Sequence, residues 1–499
     1  MTQLFKGVAL FVAITCVVWV SVLWRWESTS RNMTVFDIVM YLGVLPLVVF
    51  CVIVGLVWAW RGAAPRRGAA VAAAASARAA AQPAAPELSA GEEAQRHAVC
   101  QLLCAHLVTA AGASPGELLA AAAENKPRPS FDDDLRDAAG LQIMAARIHD
   151  LQPDDVAETL DALLADLRRE RTEWATVDVR EHAKRALAAL REPLANTVQA
   201  LRPWAVRLGA PDPVSPLGTG GSPAAATADL APMVRMLLGW PIDWNELERE
   251  LATRWARGLL SEYTEIPASR FALVVHAASG EALWLQADQL LQTLARERRS
   301  DVVLVAACHS DLSDLAVLAL DEARRLFSAQ TRPKGLMPGE AAAALLLAAE
   351  NWPADPDAYQ PPTRLHRPAV LRRDKSVEAV GRVGSQSLQD AVTNALAAAQ
   401  IAPDAIPALV CDADQHTARS AELFGATLSG LPQLDPTEDM RLIGTVTGHT
   451  GAVNALLVVA TAAERARTGG DACLALCVGD PFMRMALVAR PAAMPTPLA

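Results

Sequence analysis

The stretch that decides the fold runs FALVVHAAS (residues 271–279), ALWLQADQLLQTLARERR (282–299) and DVVLVAAC (301–308). The first and third segments are continuous apolar runs of strand length, whereas the middle segment carries apolar residues at helical spacing. Continuous rather than alternating apolar runs are typical of strands that are buried on both faces. The stretch therefore predicts an α/β fold in which helices cover both faces of the sheet.

The same alternation continues toward the C-terminus. We predict a helix over 312–327, a strand over 341–350, a helix over 387–400, a strand over 408–414, a helix from Ala452, and closing strands over 473–478 and 483–490. Upstream, residues 151–205 carry apolar residues three and four positions apart with charges between them, so they predict amphipathic helices.

Composition excludes two broad classes. The 499 residues carry 45 Lys and Arg against 55 Asp and Glu, a formal charge of −10, and 52% of them are hydrophobic. No Lys/Arg stripe that could neutralise phosphates is present, so we expect no nucleic-acid partner. A hydrophobic fraction this high also excludes a disordered chain. The length leaves room for one large domain or several ordinary ones.

Two segments near the N-terminus are long and apolar enough to span a membrane. Residues 7–24 contain no charge, and residues 38–60 form a second, stronger span. Five of the twelve tryptophans lie in the first sixty residues, four of them at span boundaries where interfacial aromatics are common: Trp19, Trp24, Trp26, Trp58 and Trp60. A cleaved signal peptide is the alternative for residues 7–24, but no small-residue cleavage site follows them.

Basic residues set the expected orientation of this hairpin. The exit from the second span carries more of them than the loop between the spans, namely Arg61, Arg66, Arg67 and Arg78 against Arg25 and Arg31. Because basic residues favour the cytoplasmic side, both ends of the hairpin are predicted to face the cytoplasm. Residues 62–90 are low-complexity Ala with scattered Pro and Arg and predict a solvated tether, and residues 208–232 predict a flexible loop.

The eight cysteines show no spacing typical of metal ligands. No CxxC or Cys/His ligand pattern is present, so we expect buried thiols in a reducing compartment, no metal site and no cofactor.

Six segments, in the correct order, resemble the β-ketoacyl synthases of the thiolase-like superfamily. They are residues 106–129, 134–148, 327–348, 387–422, 443–462 and 472–490. The resemblance implies two similar halves in layers, with helices outside and between two sheets. Together with the hydropathy and composition above, it divides the chain into a membrane hairpin (1–61), a tether (62–94), a thiolase-like domain (95–492) with a helical insertion at about 151–230, and a tail (493–499).

The resemblance also implies a catalytic set that is largely missing. The nucleophilic cysteine of the family would fall within residues 278–281, the first histidine within residues 412–414 and the lysine at Gly444, and none of these residue types is present there. His449 matches the second histidine, and Glu340 lies in the Gly-Glu-Gly signature of the family. These two residues are the remnant candidates for a site. Because a lone histidine needs partners to act as a catalyst, a structural role for His449 is favoured.

Sequence support for other kinds of catalytic or binding site is weaker. Ser279 follows His276 at a strand-to-helix turn but lacks the G-x-S-x-G pattern of an esterase. Cys308 and His309 are neighbours, so their side chains should diverge, as a buried thiol and a loop histidine. Residues 218–221 indicate a flexible loop rather than a phosphate site, and Asp132–Asp134 indicate charges at a helix N-terminus.

These observations favour a non-enzymatic adaptor or scaffold that holds a protein partner at the bacterial inner membrane, with its α/β domain in the cytoplasm. The layout is similar to bacterial proteins associated with type VI secretion effectors, which suggests an adaptor that loads a toxin effector. The alternative is an acyl-thioester binder or condensing enzyme that uses His449 and Glu340. The resemblance also implies a homodimer.

Overall fold

The computed structural model describes residues 19, 40, 93, 95–209, 232–277, 280–353, 362–379, 381 and 383–492. The chain divides into two compact units, Met1–Leu88 and Ser89–Ala499, and every element below belongs to the second. Almost all of the two predicted membrane spans and the tether lie outside the described residues. Within the described part, no helix is both long enough and apolar enough to cross a membrane.

The second unit is a mixed α/β structure, which confirms the predicted class. Its strands are β1 (Val99–Thr109), β2 (Ser130–Arg136), β3 (Gln142–Ala145), β4 (Val234–Trp240), β5 (Phe271–Ala277), β6 (Val302–Ser310), β7 (Glu340–Ala349), β8 (Thr363–His366), β9 (Ala369–Arg372), β10 (Ala408–Cys411), β11 (Met440–Leu442), β12 (Cys473–Cys477) and β13 (Met483–Pro491). Its α-helices are α1 (Pro115–Ala123), α2 (Asp154–Glu170), α3 (Glu181–Gln199), α4 (Ala205–Gly209), α5 (Glu246–Tyr263), α6 (Gly280–Arg296), α7 (Asp314–Glu322), α8 (Gln386–Ala399), α9 (Thr417–Gly430), α10 (Gly444–Thr447) and α11 (Asn454–Gly469).

Two halves of the sheet repeat one pattern of strands. In the first half, β5, β4 and β6 are parallel and β7 is antiparallel to them. In the second half, β11, β10 and β12 are parallel and β13 is antiparallel. A helix of the interior follows the outer strand of each half, α6 after β5 and α11 after β11. The chain therefore contains the two similar halves that the sequence resemblance implied.

The two halves are joined, which corrects the expectation of two separate sheets. Strand β1 pairs with β7 along most of its length, and Val99–Leu102 of the same strand also pair with β8. Because β8 in turn pairs with β13, the eleven strands β1 and β4–β13 form one continuous sheet. Strands β2 and β3 form a separate hairpin that packs beside α7 around the buried side chain of Val317.

Apolar side chains define five layers. The inner layer holds α1, α6 and α11 against the inward faces of both halves of the sheet. On the outer face of the first half lie α2, α3 and α5, and on the outer face of the second half lie α8 and α9. Helix α3, within the stretch described above as an insertion, packs directly on β1, β6 and β7. The two central helices, α6 and α11, contact each other in the inner layer, with the start of α6 against the start of α11.

Candidate functional site

The central site lies where the first residues of α6 and α11 meet. The backbone of Gly280, which begins α6, comes so close to α11 that a Cβ on it would lie 2.9 Å from the backbone nitrogen of Ala455. Glu281 follows in the first turn of α6, and Asp412 directly follows β10. Donor atoms of Glu281, Asp412 and Cys477 all lie within 4.8 Å of one another. Residues from the two ranges that the resemblance gives to the nucleophile (278–281) and the first histidine (412–414) are therefore brought together, and each of the two residues that meet is a carboxylic acid.

Asp412 is held in place by both of its oxygens. Oδ1 accepts a hydrogen bond from the backbone nitrogen of Val478 at 2.6 Å, and Oδ2 accepts one from that of Gly479 at 3.0 Å. The Asn454 side-chain amide also donates to Oδ2. Burial raises the pKa of Asp412, and its hydrogen bonds to Val478 and Gly479 only partly offset that rise. These bonds fix the carboxyl group as an anchor between two loops of the second half.

Glu281 is a buried acid whose carboxyl group lacks the set of hydrogen bonds that holds Asp412. It is 4% exposed, and its Oε1 makes no hydrogen bond. Burial, together with the negative charge of Asp412, raises the pKa of Glu281 from 4.5 to about 8. Glu281 is therefore protonated at neutral pH, because burial and the neighbouring carboxylate both disfavour its charged form. That chemistry suits proton transfer rather than nucleophilic attack on a thioester.

The position of the family lysine has no room for a side chain. A Cβ on Gly444 would lie 2.2 Å from the backbone oxygen of Asp412 and 2.8 Å from that of Ala413. A lysine at this position therefore requires the backbone around Asp412 to move.

The thiols of the described residues are not activated. All six described cysteines are free. Burial raises the pKa of Cys104 to about 12, and burial with the nearby charge of Asp288 raises that of Cys100 to about 12. Burial and the carboxylate of Asp412 raise the pKa of Cys477 well above the ordinary value of 9.0. A nucleophilic cysteine needs the opposite shift, so these thiols are apolar packing groups.

Glu340, one of the two remnant candidates, is fully engaged in the core. It is 0% exposed, and its carboxylate accepts two hydrogen bonds from the Arg185 guanidinium, at 2.7 and 2.9 Å. The backbone nitrogen of Ile148 donates to it at 2.8 Å, and the Ser310 hydroxyl donates at 3.2 Å. Glu340 thus connects α3 of the outer layer to the sheet.

His449, the other candidate, has a carboxylate partner that the sequence did not reveal. Its Nδ1 lies 2.7 Å from Oδ2 of Asp311, and its side chain is 31% exposed. His309 Nε2 lies 3.2 Å from the same oxygen, and the rings of His309 and His449 meet edge to face. His309 is thus a buried residue of β6 rather than the loop histidine that we predicted. The predicted divergence from Cys308 is confirmed, since Cys308 packs in the outer layer.

Two other sequence-based predictions concern acidic and turn residues. Asp132 lies in strand β2, which corrects the prediction of a helix N-terminus. Its carboxylate accepts hydrogen bonds from Arg147 at 2.7 and 3.0 Å, so it is a structural ion pair. Ser279 and the loop at 218–221 lie outside the described residues. His416, close to the expected first histidine, caps α9 by accepting a hydrogen bond from the backbone of Ala418.

Comparison with known proteins shows the fold alone. No protein-family model and no curated protein matches the sequence. A solved type II PKS ketosynthase, in complex with its acyl-carrier protein and bound to a hexaketide, matches 79% of this chain and 100% of its own at 12% identity and a TM-score of 0.52. A β-ketoacyl synthase from Burkholderia phymatum STM815 matches 80% of this chain and 100% of its own, at 14% identity and a TM-score of 0.48. The chain has a ketosynthase-like, and hence thiolase-like, fold.

Proposed function

We propose that this chain is a non-condensing, ketosynthase-like adaptor that binds a protein partner. The observation that carries the proposal is the group of acids at the centre of the fold, where the sequence resemblance leads one to expect condensing residues. Glu281 and Asp412 lie in the ranges 278–281 and 412–414 that the resemblance gives to the nucleophile and the first histidine, and Gly444, which it gives to the lysine, lies against the Asp412 backbone. Condensation needs a thiolate and basic groups that polarise a thioester carbonyl, and neither is present in this described centre.

An exposed apolar surface supports binding of a partner. Hairpin β2–β3 and helix α7 pack against each other, and together they expose Phe131, Leu141, Leu315 and Leu318, which are 66, 65, 63 and 39% exposed. Neighbouring apolar side chains on a protein surface are typical of interaction sites. We call these four residues the hairpin surface.

Residues 7–24 and 38–60 would anchor the adaptor in the bacterial inner membrane, with residues 95–492 in the cytoplasm. This topology rests on the hydropathy and basic-residue pattern of the sequence. An effector awaiting type VI secretion is the partner that we propose on the similarity of layout. A reporter fused to the C-terminus tests the topology, and a periplasmic C-terminus would overturn it.

The sheet edge supports a homodimer. Strand β5 ends the sheet path, and Val274 and Val275 on it are 45 and 37% exposed. An open apolar edge strand invites pairing with another strand. Sedimentation of the full-length chain in detergent tests this proposal, and a monomer at all concentrations would refute it.

The decisive experiment tests the adaptor proposal against the enzyme alternative. Full-length protein is incubated with malonyl and acyl thioesters, and covalent acylation and carbon dioxide release are measured. We expect neither. Turnover that is lost in His449→Ala would refute the adaptor proposal and establish the enzyme alternative. Partner capture from the native cell should then fall for Phe131→Asp and Leu315→Asp, but not for Val206→Asp, a control that is 90% exposed on another helix.

A further inference from the structure

We propose that His309, Asp311 and His449 bind a divalent transition-metal ion of the zinc and iron(II) class. The three side chains offer one donor atom each, all within 4.8 Å of one another. Both histidines approach the same carboxylate oxygen, Oδ2 of Asp311, at 2.7 and 3.2 Å. This inference does not depend on the adaptor proposal, because it concerns a different cluster.

The two separations that involve Asp311 are close to those around a metal ion. A first-row ion binds histidine nitrogen and carboxylate oxygen at about 2.0–2.2 Å, which places neighbouring donors about 2.8–3.6 Å apart in octahedral or tetrahedral geometry. The 3.2 Å between His309 Nε2 and Asp311 Oδ2 lies within that range, and the 2.7 Å to His449 Nδ1 lies just below it. Two imidazoles with one carboxylate form a ligand set that Zn²⁺ and Fe²⁺ both use.

A second observation points to a ligand. His309 is 7% exposed, and its Nδ1 has no hydrogen-bond partner among the described residues, while its Nε2 contacts the Asp311 carboxylate at 3.2 Å. Most buried polar groups in proteins have a hydrogen-bond partner, so a buried ring nitrogen without one calls for an explanation. Coordination through Nε2 would place the ion between this ring and the Asp311 carboxylate that it already approaches.

The backbone holds the donors in position. The nitrogen of Asp311 donates to the oxygen of Gly339 at 3.0 Å, and that of His449 donates to the oxygen of Met337 at 2.8 Å. Gly451 lies so close to His309 that a Cβ there would sit 2.5 Å from the ring Nδ1, which fixes the plane of the ring. His309 is thus held on strand β6, and backbone hydrogen bonds tie Asp311 and His449 to residues 337–339, which supports the fixed donor positions that a metal site requires.

Polar side chains lie beside the cluster, and one of its ligands is partly exposed to solvent. His182 donates or accepts a hydrogen bond with the Ser313 hydroxyl at 2.8 Å, and its Nε2 lies 3.6 Å from Asp243, a carboxylate that interacts electrostatically with His309. Because His449 is 31% exposed, the ion could be reached from outside. Three protein ligands leave at least one coordination position for water or for another ligand.

Sequence spacing could not show this site. Asp311 and His449 are 138 positions apart, so no short ligand pattern exists. The expectation of no metal site rested on the absence of closely spaced Cys and His ligands. The site arises only when the loop before α11 from the second half meets the end of β6 in the first half.

The test uses full-length, tag-free protein that has been stripped with a chelator and titrated with Co²⁺. We expect a visible ligand-field band at about one equivalent that Zn²⁺ removes by competition. Asp311→Asn and His449→Ala should each weaken Zn²⁺ binding by about 100-fold or more, since even outer partners of metal ligands contribute about 10–100-fold. His276→Ala, on β5, is the matched control and should leave binding unchanged.

Folding is controlled by circular dichroism and by melting of each variant. Because the His449 ring is partly exposed, His449→Ala should fold and melt close to the wild type without metal, whereas Zn²⁺ should raise only the melting temperature of the wild type. If wild-type protein shows no Co²⁺ band, or if folded His449→Ala binds Zn²⁺ as tightly as the wild type, the cluster is a hydrogen-bonded network and the proposal is wrong.

Discussion

Replacing Glu281 with glutamine should stabilise the protein, and increasingly so as the pH rises. Burial and the charge of Asp412 raise the pKa of Glu281 from 4.5 to about 8. Between these pH values the folded chain keeps a proton that the unfolded chain has released. The folded state therefore loses stability as the pH rises through this window, up to the folded-state pKa. An amide has the same shape and cannot ionise, so Glu281→Gln removes this loss.

The magnitude follows from the pKa shift. Each unit of difference between folded and unfolded pKa corresponds to about 1.4 kcal/mol. At pH 7 the ionisable side chain costs the folded state roughly 3 kcal/mol relative to a neutral one. With about 2.1 cal/mol/K of unfolding entropy per residue over Ser89–Ala499, this corresponds to roughly 4 °C in melting temperature. At pH 5 the same calculation gives roughly 1 °C.

Thermal melting of full-length protein at pH 5, 6, 7 and 8 measures this effect. The control is Glu297→Gln, an exposed glutamate just beyond the end of α6, which should leave the melting temperature unchanged at every pH. If Glu281→Gln melts at the wild-type temperature at pH 8, or if its advantage over the wild type is the same at pH 5 and pH 8, the carboxyl group is not a buried, protonated acid and the reasoning fails.

Three further predictions concern the core. Gly444→Ala should lower the free energy of unfolding by about 1–3 kcal/mol or more, because its Cβ would meet the Asp412 backbone. Gly258→Ala in α5 is the control, and it should raise that free energy by up to about 1 kcal/mol because open space surrounds it. Urea unfolding measures both variants. Arg185→Met should cost about 3–5 kcal/mol by leaving the Glu340 carboxylate buried and unpaired, and adding Glu340→Leu should recover much of that loss. Native protein at pH 7.5 should show little alkylation of the six described cysteines by iodoacetamide in mass spectrometry, and rapid labelling of any one would show an activated thiol.

Much of the layered fold could be predicted from the sequence because buried strands and amphipathic helices leave periodic patterns. The strands at β6, β7, β10, β12 and β13 all fall in predicted segments. Strand β4 was missed, although Met236–Trp240 is an apolar run, because Arg235 interrupts it and a long loop precedes it. Arg235 is satisfied by an ion pair with Asp301 at 2.8 Å, a contact that only the folded chain creates.

The site was less predictable than the fold because its groups come from distant parts of the chain. The resemblance implied that cysteine, histidine and lysine were missing, and the structure brings one acid from each of the ranges 278–281 and 412–414 together. It gave no sign that His309 and Asp311 would meet His449, since one strand end and one loop from different halves form that cluster. Likewise, the sequence suggested Glu340 as a remaining catalytic residue, but the structure pairs it with Arg185. That partner could not be predicted, because it lies in the stretch described above as an insertion.

The buried acid pair offers a way to separate the adaptor proposal from the enzyme alternative. Strongly shifted pKa values are common at functional sites, and Glu281 keeps such a group at a cost to stability. A scaffold that binds its partner only through the hairpin surface has no need of the ionisable Glu281 carboxyl group. If Glu281→Gln melts higher and captures the partner as well as the wild type does, the acid pair has no part in partner binding. If instead capture is lost while the fold becomes more stable, ionisation at the centre controls the outer surface, and the adaptor works through a proton-linked change of shape rather than as a passive platform.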